Sequence, residues 1–138
     1  MQKLSKKKEY RERLLRNLAT SLILHEKVET TKARAKALKP ILTKLIKYST
    51  TNDLASRRHA SKILFTPKSV KKLFEDLPGR YLNKEVSKNI KYYKLENRNG
   101  DNSPMALVSL QLKSLETVIK EEEKDKTKKT LKDNKHDE

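Results

Sequence analysis

Arginine is the residue whose type and spacing most clearly offer chemistry in this chain. Arg11, Arg13 and Arg16 follow one another within two turns of a helix, Lys32 and Arg34 stand two apart, Arg57 and Arg58 are adjacent, and Arg80 precedes Tyr81. A guanidinium is a planar fork of donors that meets a phosphate bidentately and stays charged at every physiological pH, so such clusters are candidates for phosphate binding. Lys3, Lys6, Lys7, Lys8 and Lys36 add point charges, and His59 extends the Arg57–Arg58 pair. Thr30 and Thr31, at the expected start of a helix, offer a hydroxyl and free amides to an anion, and Asn17 adds a neutral donor on the first helix. Tyr81 has a ring on which an unpaired base can stack, although tyrosines at element edges more often line the rim of a core.

The pattern offers little to catalysis. The histidines, His25, His59 and His136, are scattered without metal-ligand spacing, and there is no cysteine to complete a set. His25 has Ser21 and Glu26 nearby, but no orienting group or oxyanion site accompanies them. The only glycines, Gly79 and Gly100, are isolated in turns, so no phosphate-cradling loop exists. The expectation is a protein that is not an enzyme and that has no cofactor, metal or small-molecule substrate.

Composition points the same way as the arginines. Charged residues make up 38% of the chain and apolar residues 34%, and the net charge is +16 over 138 residues. One domain with a modest core is expected, self-repelling when alone and relieved by a polyanion. From Lys113 onward 8 lysines stand against 8 acids, which leaves 26 basic and 10 acidic residues in 1–112, so the whole excess belongs to the body. No apolar run approaches the ~20 residues that cross a bilayer, and the basic start lacks the apolar core of a secretion signal. A soluble, non-exported protein without a membrane partner is expected.

The elements that must hold these cations can be read from periodicity. Leu14, Leu18 and Leu22, with Leu15 and Ile23 beside them, form the apolar stripe of a helix over about 8–24. Lys27-Val-Glu-Thr-Thr31 is short and β-branched, as in a strand, and Thr31 can cap a second helix. That helix keeps one apolar phase, Leu38, Ile41, Leu42, Leu45 and Ile46, across Pro40, so a single kinked helix is expected, with Lys36, Lys39 and Lys47 facing outward. A third helix after Thr51 or Asn52 would bury Leu54, Ala60, Ile63 and Leu64 and turn Arg57, Arg58, His59 and Lys62 out. Thr66-Pro67 starts a fourth with Val70, Leu73, Phe74 and Leu77 inward, and Leu77-Pro78-Gly79 ends it, with Gly79 in a left-handed turn. The segments 90–95 and 106–112 are expected strands joined by a polar hairpin loop containing Arg98, which either closes the hairpin or dips toward a nucleic acid.

The run Arg16-Asn-Leu-Ala-Thr-Ser-Leu22, then Glu29-Thr-Thr31 and Ala33-Arg-Ala-Lys-Ala-Leu-Lys-Pro40, resembles the family of the bacterial-type large-subunit ribosomal protein number seventeen. Ala55-Ser-Arg-Arg58, Val70-Lys-Lys-Leu-Phe-Glu-Asp76, Arg80-Tyr81, and Gly100-Asp101 with Pro104-Met-Ala-Leu-Val108 continue it in order, over roughly residues 3–112. The fold class that follows is α+β, a two-layer body of about four helices, on what the resemblance implies is a small three-stranded mixed sheet. A basic N-terminal arm (1–8) would precede this body (9–112), and a charged, net-neutral, disordered tail (113–138) would follow it.

The resemblance also implies a role: a structural constituent of the large ribosomal subunit, bound to large-subunit ribosomal RNA near the outlet of the peptide tunnel. Neighbouring large-subunit ribosomal proteins, number thirty-two among them, would be its protein partners, and the bacterial cytoplasm or an organelle matrix its compartment. Two alternatives come from the residues themselves. A small basic DNA-binding regulator or nucleoid protein would place the Arg57-Arg58-His59 helix in a groove. A protein-binding adaptor would use the Leu42–Ile46 face but leave the charge unexplained.

Overall fold

The computed structural model describes residues 4–83 and 85–113. Lys3 and the tail beyond Lys113 lie outside the described residues. Helix α1 (Lys8–His25) leads through a left-handed Glu26 (φ 64°) into strand β1 (Lys27–Thr31) and directly into α2 (Lys32–Thr51). Helix α2 carries Pro40 in its interior without ending, as its unbroken apolar phase requires. After a left-handed Asn52 come α3 (Leu54–Ile63), α4 (Pro67–Lys71), a π-helical turn (Lys72–Asp76) and α5 (Leu77–Arg80). A 3₁₀ turn (Val86–Asn89) precedes β2 (Ile90–Lys94), and a loop leads to β3 (Met105–Leu110).

The strands form one sheet in the order β1-β3-β2, with Val28 opposite Val108 and Tyr92 opposite Val108 on the other side. Both pairings are antiparallel, which corrects the mixed sheet that the resemblance implied. The hairpin forces β2 and β3 to run against each other, and β1 adds to the far edge of β3, so the two strands of like direction never touch. Gly100, at φ 104°, supplies the backbone conformation the hairpin loop needs. Arg98 is held there by Asp101, at 2.6 and 3.1 Å, and so closes the loop.

The helices cover one face of the sheet. Leu15 and Leu22 of α1, Leu38, Leu42 and Leu45 of α2, Leu73, Leu77 and Val108 are all essentially without solvent contact. The i, i+4 and i+7 spacing of these leucines keeps one stripe of each long helix inward, and each buried leucine contributes on the order of 2 kcal/mol.

The structure corrects two expectations about the later helices. Leu54 is 61% exposed rather than inward, because α3 begins at that residue and only its far end, through Ala60 and Leu64, reaches the core. Pro78 and Gly79 do not stop the fourth helix. The amide of Leu77 reaches back five residues to the Lys72 carbonyl, a π-type turn. This widened turn lets Pro78, near the start of α5, continue the helical path despite its missing donor. Gly79 sits within α5, outside the left-handed region.

Candidate nucleic-acid interface

Most of the expected cations project from helices whose other side is buried, and the structure sorts them into two groups. Lys6, Lys7, Lys8, Arg13, Asn17, Lys32, Lys36 and Arg58 are exposed. Arg13 and Asn17 stand one turn apart on α1, and Lys32 and Lys36 one turn apart on α2. Arg13, Lys32, Lys36 and Arg58 make no ion pair with another described residue, so their charge is available to a ligand. Arg11 and Arg34 are half-buried. The arm folds back so that Lys6, whose ammonium lies 5.3 Å from the Tyr10 ring centre, shares a recess of about 300 Å³ with Leu14, Thr31 and Arg34. The arm and the start of α2 are therefore one surface.

The second group is engaged by other residues of the fold. Arg16 donates from Nε to the Ile63 carbonyl (3.0 Å) and from Nη2 to the Lys62 carbonyl (2.6 Å), and its guanidinium lies 4.5 Å from the Phe65 ring centre. It closes the last turn of α3, whose carbonyls have no helical partner. Arg57 donates through Nε and Nη2 to Asn52 Oδ1 at 3.2 and 2.9 Å and lies over Phe74. His59 stacks on Tyr48 with ring centres 5.7 Å apart.

Arg80 is the most deeply withdrawn, at 8% exposure. Its Nη1 reaches Glu26 Oε1 at 2.8 Å and Asp76 Oδ2 at 3.1 Å, its Nη2 reaches Glu26 Oε2 at 3.1 Å, and its Nε donates to the Lys113 carbonyl. Lys72 joins the clasp at 2.8 Å from Glu26 and donates to the Leu24 carbonyl, so it also caps α1. Burial alone would raise the Glu26 carboxyl, but hydrogen bonds from Arg80 and Lys72 outweigh it and hold the group below its ordinary value. The hydrogen bond to Glu26, against the cost of burial, raises the Arg80 guanidinium.

Tyr81 is no open stacking platform. Its hydroxyl pairs with Ser49 Oγ at 3.3 Å, and burial pushes the phenol up to about 12. Thr30 is 5% exposed, on the core side of β1. Thr31 occupies the N-cap position of α2 but makes no side-chain cap bond, and the Lys32 amide is taken by the Pro104 carbonyl. Thr30 and the Lys32 amide are thus occupied within the fold, while Thr31 lines the open recess with Lys6 and Arg34.

Lys39, read from the sequence as outward-facing, and Lys94, Lys68 and Lys71, which sequence reasoning left out, complete the surface. Lys39 and Lys94 meet Lys32 and Lys36 around Tyr92 and Tyr93. The only signal for Lys94 in the sequence was the run Lys91-Tyr-Tyr-Lys94, which is equally ordinary in an edge strand. Lys68 and Lys71, with Arg57, line a cleft of about 710 Å³ between α3 and α4. The described residues contain no group of three His, Cys, Asp or Glu side chains able to hold a metal, and no helix among them is long and apolar enough to cross a membrane.

These features define a small basic α+β module with cations on several faces and a tightly clasped interior. The family model for Ribosomal protein L17 matches residues 14–111. The chain is similar to the large ribosomal subunit protein bL17 of Syntrophotalea carbinolica, 38% identical over 108 residues that cover 78% of this chain and 69% of the relative. The bL17 protein of Solibacter usitatus is 42% identical over 100 residues, 72% of this chain and 66% of the relative, so somewhat less than two thirds of that protein is spanned. That of Moorella thermoacetica is 41% identical over 101 residues, 73% and 89% of the two chains. The chain belongs to the ribosomal protein L17 family.

Proposed function

We propose that the protein is a structural constituent of the large ribosomal subunit that binds and stabilises large-subunit ribosomal RNA. The observation that carries this reading is the dispersed set of cations without an ion pair among the described residues, Arg13, Lys32, Lys36 and Arg58, on three helices of a chain in the L17 family. Phosphates of a folded RNA approach a protein from several directions, and a body with charge on several faces matches that demand. Each cation that neutralises a phosphate also releases counterions, which makes assembly salt-sensitive and relieves the self-repulsion of the +16 chain.

The finer placement comes from the resemblance: beside the outlet of the peptide tunnel, touching neighbouring ribosomal proteins including number thirty-two, in a bacterial cytoplasm or an organelle matrix. The DNA-regulator alternative is disfavoured by the engagement of Arg57 with Asn52 and of His59 with Tyr48, which leaves Arg58 and Lys62 as the unengaged cations of α3 among the described residues.

The deciding experiment is sedimentation of the tagged protein from gently lysed native cells, with large subunits washed at rising salt and retention compared with that on duplex DNA. Stoichiometric presence on subunits, at salt that strips the protein from DNA, is expected. Fractionation with the chromosome and absence from washed subunits would overturn the assignment.

A further inference from the structure

Between the first turns of α2 and the edge strand β2 lies a groove of about 290 Å³. Ala35 and Ala106 keep it open, the Tyr92 ring faces it from β2, the backbone next to it at Tyr93 completes the floor, and four lysines, Lys32, Lys36, Lys39 and Lys94, rim it. No carboxylate lines it. On α2 the lysines recur at i, i+4 and i+7, one per turn of about 5.4 Å, close to the step between phosphates of an unstacked strand. The Lys39 ammonium lies 5.9 Å from the Tyr92 ring centre. The Tyr92 hydroxyl is buried and has no hydrogen-bond partner among the described residues.

We propose that this groove is a subsite for one unstacked nucleotide of an RNA strand, its base against Tyr92 and its flanking phosphates on Lys32, Lys36, Lys39 and Lys94. Aromatic rings beside a row of cations are what a single-stranded segment requires, because every base has a π face and every link a charge. The two alanines leave a slot suited to a flat ring. The occupant is RNA rather than a peptide strand added to the β2 edge, because four lysines without a carboxylate complement a polyanion, whereas a β-strand needs charge on neither flank. This inference rests on the RNA-binding reading above and deepens it.

The test uses the full chain and two labelled probes of equal charge, hexa-adenylate RNA and a ribose-phosphate hexamer without bases, compared by fluorescence anisotropy at physiological salt. Hexa-adenylate is expected to bind about tenfold more tightly, within the range of base–aromatic stacking. Tyr92→Leu should reduce that preference to about twofold or less, whereas Tyr93→Ala, on the opposite face of β2, should leave it unchanged, with thermal melting by circular dichroism confirming that each variant folds. Lys36→Gln and Lys39→Gln should weaken both probes alike.

Equal binding of the two probes by the unaltered chain overturns the proposal, and so does a base preference that Tyr92→Leu leaves unchanged. In native large subunits, ultraviolet cross-linking followed by mass spectrometry should find a nucleotide on Tyr92, and a peptide adduct there in its place would overturn the proposal in favour of a protein occupant. Absence of the chain from washed subunits defeats the ribosomal reading itself. Presence there with equal probe binding defeats only the groove.

Discussion

Arg80 and Arg13 put the same side chain to opposite uses. Arg80 lies at the end of α5, where the π turn and the departure of the chain toward Lys113 enclose it, and its donors are matched to Glu26, Asp76 and a carbonyl. Arg13 lies on the outer side of α1 and makes no ion pair with a described residue. The first ties the end of α1 to α5, while the second leaves its charge to a partner. A cluster of arginines in a sequence therefore mixes struts with contacts, and position relative to the core decides which is which.

The sharpest way to break that comparison is Arg80→Met. Removing the guanidinium strands Glu26 and Asp76 in a partly buried site, and a loss of about 3 kcal/mol in urea unfolding is expected. The salt slope of RNA binding by the folded variant should not change. A slope reduced by one phosphate's worth would mean that Arg80 is a contact after all. Arg16→Ala should cost about 1–2 kcal/mol, because it removes two hydrogen bonds to helix-end carbonyls and the Phe65 contact, again without altering the slope.

Replacing Arg13, Lys36 and Arg58 with glutamine, one at a time, should do the reverse. Stability should stay within about 0.5 kcal/mol, and the slope of log affinity against log salt should shrink by roughly 0.7 to 0.9 for each residue. An unchanged slope in folded variants would remove these residues from the interface.

The clasp also predicts a modest pH dependence. The Glu26 carboxyl is lower in the folded protein than its ordinary value of 4.5, so its contribution is present above that pH and is lost as the pH falls through the folded value. Glu26→Gln should flatten the acid limb of a stability profile measured by urea melts, and a limb of unchanged steepness would deny the clasp this role. Smallest of all is the expected effect of truncation at Thr117. The segment from Lys113 onward carries no net charge, so affinity at matched salt should change by less than about twofold; a larger loss would mean that the tail contributes contacts of its own.

By itself the sequence determined the long elements, because their signals are local. The leucine spacing of α1, the unbroken phase of α2 across Pro40 and the β-branched run at Val28 each specify one conformation and one buried side. It also determined that the body is strongly cationic and, through the ordered motifs, the family to which the chain belongs. Leu54 was misread because helical spacing reports which side of a helix is apolar, not how far the core extends along it.

Only the tertiary structure decided which cations are free. Arg16 finds carbonyls 46 and 47 residues away, Arg80 finds Glu26 54 residues away, and Tyr92 meets Lys39 across an α2–β2 contact. The π turn that carries the chain through Pro78 is likewise set by the packing of Leu73, Phe74 and Leu77 in the core. Periodicity and composition report on neighbours within a few residues. The partner of a long charged side chain depends instead on where the fold brings distant segments together, and the same guanidinium can meet a carboxylate, a carbonyl or solvent there at little difference in local sequence.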